Sequence, residues 1–186
     1  MPIYNAPLAD MKFILNDVFN AEQFWQANEN LAHVDAATAE AILEEMAKFA
    51  QNVTHPLNRT GDEEGATYSN GNVTTPAGFK AAFKQYAEGG WIGLAADEEW
   101  GGQGMPKMLT VLADEMLFAT NPSFMLYPLL SVGAGMALNS YASQEQKETY
   151  LPKIYSGEWS GTMCLTEPHA GTDLGIIKTK AERNED

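Results

Sequence analysis

The chain has 186 residues, 45% of them hydrophobic, which is enough to bury the core of one domain and to begin a second. Its formal net charge of −14 argues against a nucleic-acid partner, because a phosphate-binding face needs clustered Lys and Arg. No apolar run approaches the ~20 residues of a membrane span, so we expect a globular chain without one.

Two helices are predicted in the first third of the chain. The first follows Pro7, and its apolar stripe recurs at spacings of three and four residues: Leu8, Met11, Leu15 and Val18. Asp35 is the predicted N-cap of the second. The apolar residues of this second helix share one face: Ala39, Ile42, Leu43, Met46, Ala50 and Val53. We expect it to end near His55-Pro56, and we expect the polar, Gly-rich residues 57–74 to form a loop.

The middle of the chain predicts a further helix and a glycine-rich turn. Thr75-Pro76 has the order of an N-cap and a first-turn proline, and Gly89-Gly90 ends the helix. Its apolar face carries Phe79, Phe83 and Tyr86. Residues 97–104, Asp-Glu-Glu-Trp-Gly-Gly-Gln-Gly, lack the Lys-Ser/Thr ending of a phosphate-binding loop. We therefore interpret these glycines as turn geometry.

Three more helices are predicted before residue 157. Pro106 opens one with Leu109, Leu112 and Met116, and Asn121-Pro122 interrupts it. Residues 124–138 are apolar almost all round, which is typical of a buried helix, and small residues within it allow a neighbour or a ligand to approach closely. Ser143 and Gln146 have the spacing of a capping box for the last helix, which ends before Gly157.

The C-terminal stretch predicts a strand followed by an exposed turn. Residues 162–165 are a short apolar run, which ends at Glu167-Pro168 because the residue before proline is pushed toward extended or turn geometry. Residues 170–173, Ala-Gly-Thr-Asp, combine a flexible backbone with a hydroxyl and an Asx-type turn residue. Such a turn presents N–H groups and hydroxyls that can meet an anion or a polar ring edge. Residues 176–181 alternate as a second strand candidate.

Three segments carry a resemblance to a known family. Residues 163–173, Met-Cys-Leu-Thr-Glu-Pro-His-Ala-Gly-Thr-Asp, resemble the Thr-Glu-Pro-x-Ala-Gly-Ser/Thr-Asp turn of the acyl-CoA dehydrogenases, which are flavoenzymes. Residues 98–104 resemble the Glu-Glu-aromatic-Gly-Gly-Gln-Gly turn that joins two helices of their N-terminal domain. Residues 4–11 are similar to a longer bacterial subgroup of the family that includes 3-methylmercaptopropionyl-CoA dehydrogenases.

The resemblance implies a cofactor site, because in the family this turn lies against FAD. The implied flavin-contacting residues are Met163, Cys164, Leu165, Thr166, Gly171 and Thr172. Thr166 is implied to give a hydroxyl or N–H to the polar edge of the isoalloxazine ring. Thr172, where many relatives have Ser, is implied to offer its hydroxyl to a phosphate or to the bound acyl-CoA, as the substrate-binding residue. We interpret Glu167 as structural, because the family places its catalytic carboxylate elsewhere.

The implied reaction is α,β-desaturation of an acyl-CoA thioester, as in fatty acid β-oxidation. The family's base is a Glu of its C-terminal helical domain. We therefore expect no catalytic residue here, and we expect this chain to be the N-terminal portion of a longer enzyme, inactive in isolation. The alternative is a non-catalytic helical module, derived from the family, that binds an acyl-CoA or a partner.

The implied architecture is mainly α, with the N-terminal helical-bundle domain of the acyl-CoA dehydrogenase fold followed by the first strands of its middle β-domain. We expect an N-terminal extension over residues 1–30, the helical domain over 31–156, and the beginning of a truncated β-domain over 157–186. The family further implies an electron-transfer acceptor as partner and a homo-oligomer when full length.

Cysteine, histidine and N-terminal composition bear on the compartment and on metals. Cys164 is the only cysteine, which excludes an internal disulfide framework and fits a reducing compartment. Residues 1–13 lack a basic region followed by an apolar one, so we expect no export signal and a cytoplasmic protein. His33, His55 and His169 have no metal-ligand spacing, so we expect no metal site.

Overall fold

The computed structural model describes residues 3–184, and its fold is mainly α-helical, as predicted. The α-helices are α1 (Leu8–Phe13), α2 (Ala21–Gln26), α3 (Ala36–Phe49), α4 (His55–Glu64), α5 (Phe79–Glu88), α6 (Lys107–Thr120), α7 (Pro122–Tyr141) and α8 (Gln144–Tyr155). An antiparallel hairpin pairs β1 (Thr67–Ser69) with β2 (Asn72–Thr74). Shorter π and 3-10 turns lie at Ile14–Val18, Ala50–Thr54, Trp91–Gly93, Glu98–Trp100 and Leu174–Ile176.

The hydrophobic core lies between α3, α5, α6, α7 and α8. At its centre the ring of Phe124 lies 6.1 Å from that of Phe49 and 5.8 Å from that of Tyr86, at tilted and edge-to-face angles that aromatic pairs prefer. Fully buried aliphatic side chains of α3, α6 and α8 surround these rings: Leu43, Met46, Leu109, Met116, Leu117 and Leu151. This packing fixes α7, the helix against which the C-terminal segment lies.

The N-terminal residues pack into the same core. Met11, Leu15 and Trp25 are buried within the cluster that the later helices form. Val18, which we expected on the same buried stripe, is 56% exposed, so that part of the prediction is wrong. The reason is the π turn at Ile14–Val18, which changes the angular spacing of the residues after α1.

The predicted helix end near residue 55 is also wrong. The chain passes from α3 through a π turn into α4, with Pro56 in the first turn of α4, where its missing N–H costs least. The carbonyl of Thr54 accepts a hydrogen bond from Nδ2 of Asn121, 3.1 Å away. This contact joins the junction of α3 and α4 to the start of α7.

The region expected to be a loop, residues 57–74, contains the rest of α4 and the β1–β2 hairpin. Asn70 and Gly71 at the hairpin turn have φ angles of 49° and 81°. Asn-Gly is the sequence that favours two consecutive positive φ angles in such a turn. This signal lies within a stretch whose polarity and glycines otherwise indicate a loop.

Two further helix predictions differ from the structure. α5 begins at Phe79 rather than at Thr75-Pro76, because Gly78 before it has a φ of 87°. α7 is not buried all round, since Leu126 and Met136 are 55% and 57% exposed. The apolar pattern correctly predicted that this segment is a helix. Among the described residues, neighbouring helices cover only one side of α7.

The predicted helix caps are confirmed. The Asp35 side chain accepts a hydrogen bond from the Thr38 N–H at 2.7 Å, which caps α3. Ser143 and Gln146 form both hydrogen bonds of a capping box at the start of α8. These predictions succeed because a cap is decided by residues three apart in sequence.

The glycine-rich turn has the structural role that we predicted. A Cβ at Gly102 would lie 2.1 Å from the carbonyl oxygen of Ala96, so only glycine fits that approach. The side-chain amide of Gln103 donates to the carbonyl of Gly90 at 2.9 Å. These contacts join the end of α5 to the start of α6.

The two predicted strands at 162–165 and 176–181 do not form. Residues 160–166 and 177–184 have no regular secondary structure, and a 3-10 turn occupies Leu174–Ile176. A strand is stable only when a neighbour satisfies its backbone groups, and no described residue forms a ladder with either segment.

In residues 3–184, no helix has the length and apolar character needed to cross a membrane.

Candidate functional site

The predicted site segment follows a close contact between Gly161 and α7. The N–H of Gly161 donates to the hydroxyl of Ser131 at 3.0 Å, and Ser131 is buried. A Cβ on Gly161 would lie 2.5 Å from Cβ of Ala134 and 3.0 Å from the carbonyl oxygen of Leu130. Glycine at 161 and the small residues of α7 therefore allow the backbone to lie directly on the helix.

The sequence does not reveal this attachment. The small residues of α7 indicate that a neighbour approaches closely, but they do not identify Gly161 as that neighbour. The two residues that make the contact are 30 positions apart, and no local pattern pairs them. The small residues of α7 were the one available signal.

Beyond the attachment the chain is extended and open to solvent. All four predicted residues at 163–166 are exposed, with Met163 at 65% and Leu165 at 41%. Within the described residues, their backbone N–H groups donate no hydrogen bond to another part of the chain. The structure thus presents a strip of free N–H groups together with the Thr166 hydroxyl.

The chain then reverses direction at residues 167–170. The N–H of Glu167 donates to the carbonyl of Ala170 at 3.0 Å, and the N–H of Ala170 donates back at 3.1 Å. Ala170 is buried, whereas the residues on either side of it are exposed. This pair of hydrogen bonds holds the reversal at residues 167–170, which lies before the turn that the sequence predicted at 170–173.

Glu167 has a structural role in this turn, as we predicted. Its carboxylate accepts hydrogen bonds from the N–H groups of Lys178 and Thr179, at 3.0 and 2.8 Å, and from the Thr179 hydroxyl. The hydrogen bond from the Thr179 hydroxyl, followed by those from the two N–H groups, holds the pKa of Glu167 below its usual value. A carboxylate with both oxygens engaged and a lowered pKa is poorly suited to remove a proton from carbon.

His169 strengthens the same turn. Its Nε2 lies 3.3 Å from a carboxylate oxygen of Glu167 and 3.2 Å from the carbonyl oxygen of Ile176. Asp173 caps the 3-10 turn that follows, accepting from the N–H of Gly175 at 3.0 Å. No group of three or more His, Cys, Asp or Glu is placed to hold a metal ion in the part of the chain that the structure describes.

Gly171 and Thr172 complete the predicted set. Both are exposed, and a Cβ on Gly171 would meet no atom within 4 Å. The six predicted cofactor residues thus lie in two exposed stretches, at 163–166 and at 171–172, separated by the turn that Glu167 holds. The polar edge and the phosphates of a flavin dinucleotide need hydrogen-bond donors, which the free N–H groups and the two threonine hydroxyls supply. The open space beside Gly171 allows such a group to approach the backbone. The residues present therefore fit FAD.

The structure combines a helical bundle with a glycine-rich turn before α6 and an exposed Thr-Glu-Pro turn after α8. This combination is the one expected of the N-terminal region of an acyl-CoA dehydrogenase. The family model of the acyl-CoA dehydrogenase N-terminal domain matches residues 36–158. The chain belongs to the acyl-CoA dehydrogenase family.

Curated relatives match nearly the whole chain. It is 39% identical over 183 residues to 3-methylmercaptopropionyl-CoA dehydrogenase of Ruegeria pomeroyi, covering 98% of this chain and 31% of that protein. It is 32% identical over 180 residues to a butyryl-CoA dehydrogenase of Syntrophomonas wolfei, covering 95% of this chain and 29% of the relative. The chain thus spans about a third of the length of the curated relatives it matches.

Solved structures agree on the fold. Butyryl-CoA dehydrogenase from Megasphaera elsdenii superimposes with a TM-score of 0.66 at 23% identity, covering 80% of this chain and 37% of that one. The glutaryl-CoA dehydrogenase complexed with glutaryl-CoA gives a TM-score of 0.63 at 22% identity, over 75% of this chain and 33% of that one. At these identities the likeness establishes the fold, which is the predicted one.

Proposed function

We propose that this chain is the N-terminal portion of an FAD-dependent acyl-CoA dehydrogenase that desaturates the α,β bond of an acyl-CoA thioester. The observation that carries the proposal is the exposed Thr-Glu-Pro turn, held on α7 through Ser131 and presenting its donors outward. The match to 98% of the chain in a 3-methylmercaptopropionyl-CoA dehydrogenase supports it. The proposal extends to acyl-CoA thioesters as a class, because relatives named for different acyl-CoA substrates match the same region.

In this proposal the bound flavin supplies the hydride acceptor, and the chain supplies position and hydrogen bonds. The free N–H groups of residues 163–166 and the Thr166 hydroxyl would hold the polar edge of the ring and would stabilise negative charge there. Gly171 gives the backbone close access, and Thr172 offers its hydroxyl to a phosphate or to the acyl-CoA. Glu167 holds residues 163–166 and 171–172 in their relative positions and takes no part in proton transfer.

The remaining assignments follow from the same proposal. We place an extension at residues 1–30, the helical domain at 31–156, and the beginning of the β-domain at 157–186. We place the catalytic carboxylate in a C-terminal helical domain, as the family resemblance implies, and not at Glu167, both of whose oxygens are engaged. The complete enzyme is a cytoplasmic homo-oligomer that passes electrons to a separate acceptor.

The native protein that contains this segment tests the proposal. An antibody raised against the chain is used to purify that protein, whose mass and visible spectrum are then measured. We expect a mass well above 20.3 kDa and the absorption of an oxidised flavin. A native protein of 20.3 kDa without flavin would favour the non-catalytic helical module instead.

A further inference from the structure

Four large apolar side chains near the N-terminus are exposed to solvent. They belong to the end of α1 and to the π turn that follows it: Phe13, Ile14, Val18 and Phe19, which are 58%, 38%, 56% and 58% exposed. The N–H of Phe19 donates to the carbonyl of Ile14, five residues earlier, at 3.0 Å. Because this spacing is one turn of a π-helix, the turn brings the four side chains to the same side of the segment. We call these four side chains the N-terminal apolar face.

The segment that carries this face is held firmly on the helical bundle. Nζ of Lys12 lies 2.9 Å from a carboxylate oxygen of Glu40 and 2.8 Å from one of Glu44, and both acids belong to α3. On the inner side of the segment, Met11 and Leu15 are buried in the hydrophobic core. The N-terminal apolar face is therefore fixed in place rather than part of a fraying chain end. A fixed cluster of large apolar side chains on a surface indicates a contact with another polypeptide segment or with a membrane.

The charges beside this face distinguish between those partners. Asp10 and Asp17 are exposed on the same segment, and Lys12, its one basic residue, is already paired with two acids. These carboxylates would be repelled by an anionic membrane surface. A second copy of the chain, related by a two-fold axis through the face, would bring the same carboxylates of both copies together. The face thus fits a different segment, with apolar side chains at its centre and Lys or Arg at its edge.

The lengths of the relatives indicate where that segment lies. The N-terminal domain model of the family begins at residue 36, so the face precedes that domain. The relatives from Ruegeria pomeroyi and Syntrophomonas wolfei match 98% and 95% of this chain, and so include most of residues 1–35. Their matches of 183 and 180 residues are 31% and 29% of their lengths, which are therefore about 590 and 620 residues.

A relative that matches less of this chain is much shorter. Isovaleryl-CoA dehydrogenase of Bos taurus matches 56% of the chain over 109 residues, which are 25% of its own length of about 440 residues. The difference of about 150 residues or more is far larger than the 35 residues that precede the domain here. The long relatives therefore have about 100 residues or more that the short relative lacks, in addition to the N-terminal segment. We call these residues the additional region.

We propose that in the complete enzyme the additional region docks on the N-terminal apolar face. This inference rests on the proposed function, because it takes the chain as the N-terminal portion of a longer polypeptide. The additional region contributes the apolar side chains that cover Phe13, Val18 and Phe19. Its Lys or Arg side chains lie beside Asp10 and Asp17. The π turn, which turns Val18 away from the core, thereby forms one side of an intramolecular interface.

Photo-cross-linking of the complete enzyme tests what covers the face. The photoreactive residue p-benzoylphenylalanine replaces Phe19, and cross-linked peptides are identified by mass spectrometry after irradiation. We expect a cross-link within one polypeptide, between position 19 and a peptide of the additional region. A product of twice the mass would identify a second copy instead and would overturn the proposal. A cross-link to a region that the short relative shares, or no cross-linked product, would also overturn it.

Two variants and a control measure the same contact by limited proteolysis of the complete enzyme. Phe13→Ser and Phe19→Ser each remove an aromatic ring from the face, whereas Gln26→Ser changes an exposed polar position of α2. Loss of an aromatic side chain from the centre of an interface should accelerate cleavage of the additional region by about tenfold or more. The control should leave the cleavage rate unchanged. Equal rates in Phe19→Ser and Gln26→Ser would contradict the docking.

The visible spectrum and the mass of the same samples separate this inference from the proposed function. A long flavoprotein whose cleavage rate is the same in all variants would overturn the docking and leave the proposed function intact. A native protein of 20.3 kDa without flavin would overturn both.

Discussion

The backbone of Gly161 lies directly on α7, with its N–H bonded to the buried hydroxyl of Ser131 at 3.0 Å. This contact joins the helical bundle to the exposed residues 163–172 that we assign to the flavin. This hydrogen bond and the absence of a side chain at residue 161 therefore help to position that segment.

Gly161→Ala should loosen the flavin segment from α7. The new Cβ would lie 2.5 Å from Cβ of Ala134, and overpacking of this kind costs about 1–3 kcal/mol. Hydrogen exchange of the amide of residue 161 should become faster, and urea unfolding should report a lower stability. Gly171→Ala is the matched control, because no atom lies within 4 Å of a Cβ there. Equal effects of the two substitutions would contradict the attachment.

Asn121 joins two helix ends, and its removal should be costly. Its Nδ2 donates to the carbonyl of Thr54 at 3.1 Å, and its Oδ1 accepts from the N–H of Phe124 at 3.0 Å. Asn121→Ala leaves the buried N–H of Phe124 without its cap acceptor and removes the hydrogen bond to Thr54, so the free energy of unfolding should fall by about 1–3 kcal/mol. Asn121→Ser retains an N-cap oxygen and should recover about 1 kcal/mol of this loss. Urea denaturation measures both, and identical midpoints for Ala and Ser would argue against the capping role.

The N-terminal residues are part of the core, and adjacent aromatics test this. Trp25 is 1% exposed, whereas Phe24 is 63% exposed. Trp25→Ala should lower the stability by about 3–5 kcal/mol, because a large buried side chain leaves a cavity. Phe24→Ala should change it by less than about 0.5 kcal/mol. Comparable losses in thermal or urea unfolding would mean that the segment does not pack as the structure describes.

Glu167 should make the turn sensitive to acid. Its pKa is lower in the folded chain than the usual value of 4.5, so its contribution is fully present above pH 4.5. That contribution is lost as the pH falls through the lowered pKa of the folded state. An NMR titration should show the amides of Lys178 and Thr179 moving below pH 4.5 and, in Glu167→Gln, no such transition. A midpoint at or above 4.5 in the original chain would contradict this assignment.

Thr166 is the residue whose loss should affect the chemistry most directly. In the native flavoprotein, Thr166→Ala removes a hydroxyl from the polar edge of the flavin, so reduction by acyl-CoA should slow by about tenfold or more. Thr162→Ala removes an exposed hydroxyl that lies outside the assigned residues and serves as the control. Stopped-flow absorbance measures the reduction rate. An unchanged rate in Thr166→Ala would remove this residue from the mechanism.

Local signals in the sequence predicted the caps and the glycine turns. The Asp35 cap and the Ser143–Gln146 capping box depend on residues three apart, so pattern and structure agree. The continuation of α3 into α4 was missed because Pro56 is a strong local stop signal. Pro56 does not end the helix because it lies in the first turn of α4, where proline is tolerated.

The candidate site could be predicted in composition but not in position. The Thr-Glu-Pro turn is continuous in sequence, and its pair of backbone hydrogen bonds is local. The hydrogen bond that attaches the segment joins Gly161 to Ser131, 30 positions away. The hydrogen bond between Glu167 and Thr179 joins residues 12 positions apart. The strands expected on either side of the turn depend on ladder partners, which a single sequence segment does not reveal.

The most direct test of the proposed function is anaerobic reduction of the native protein that contains this chain. Acyl-CoA thioesters of different acyl groups, including 3-methylmercaptopropionyl-CoA and butyryl-CoA, are added while the visible spectrum is recorded. We predict that the absorption of oxidised flavin is bleached and that the corresponding α,β-unsaturated acyl-CoA forms in equal amount. A flavin that stays oxidised with every thioester, or a native protein without flavin, would contradict the proposal.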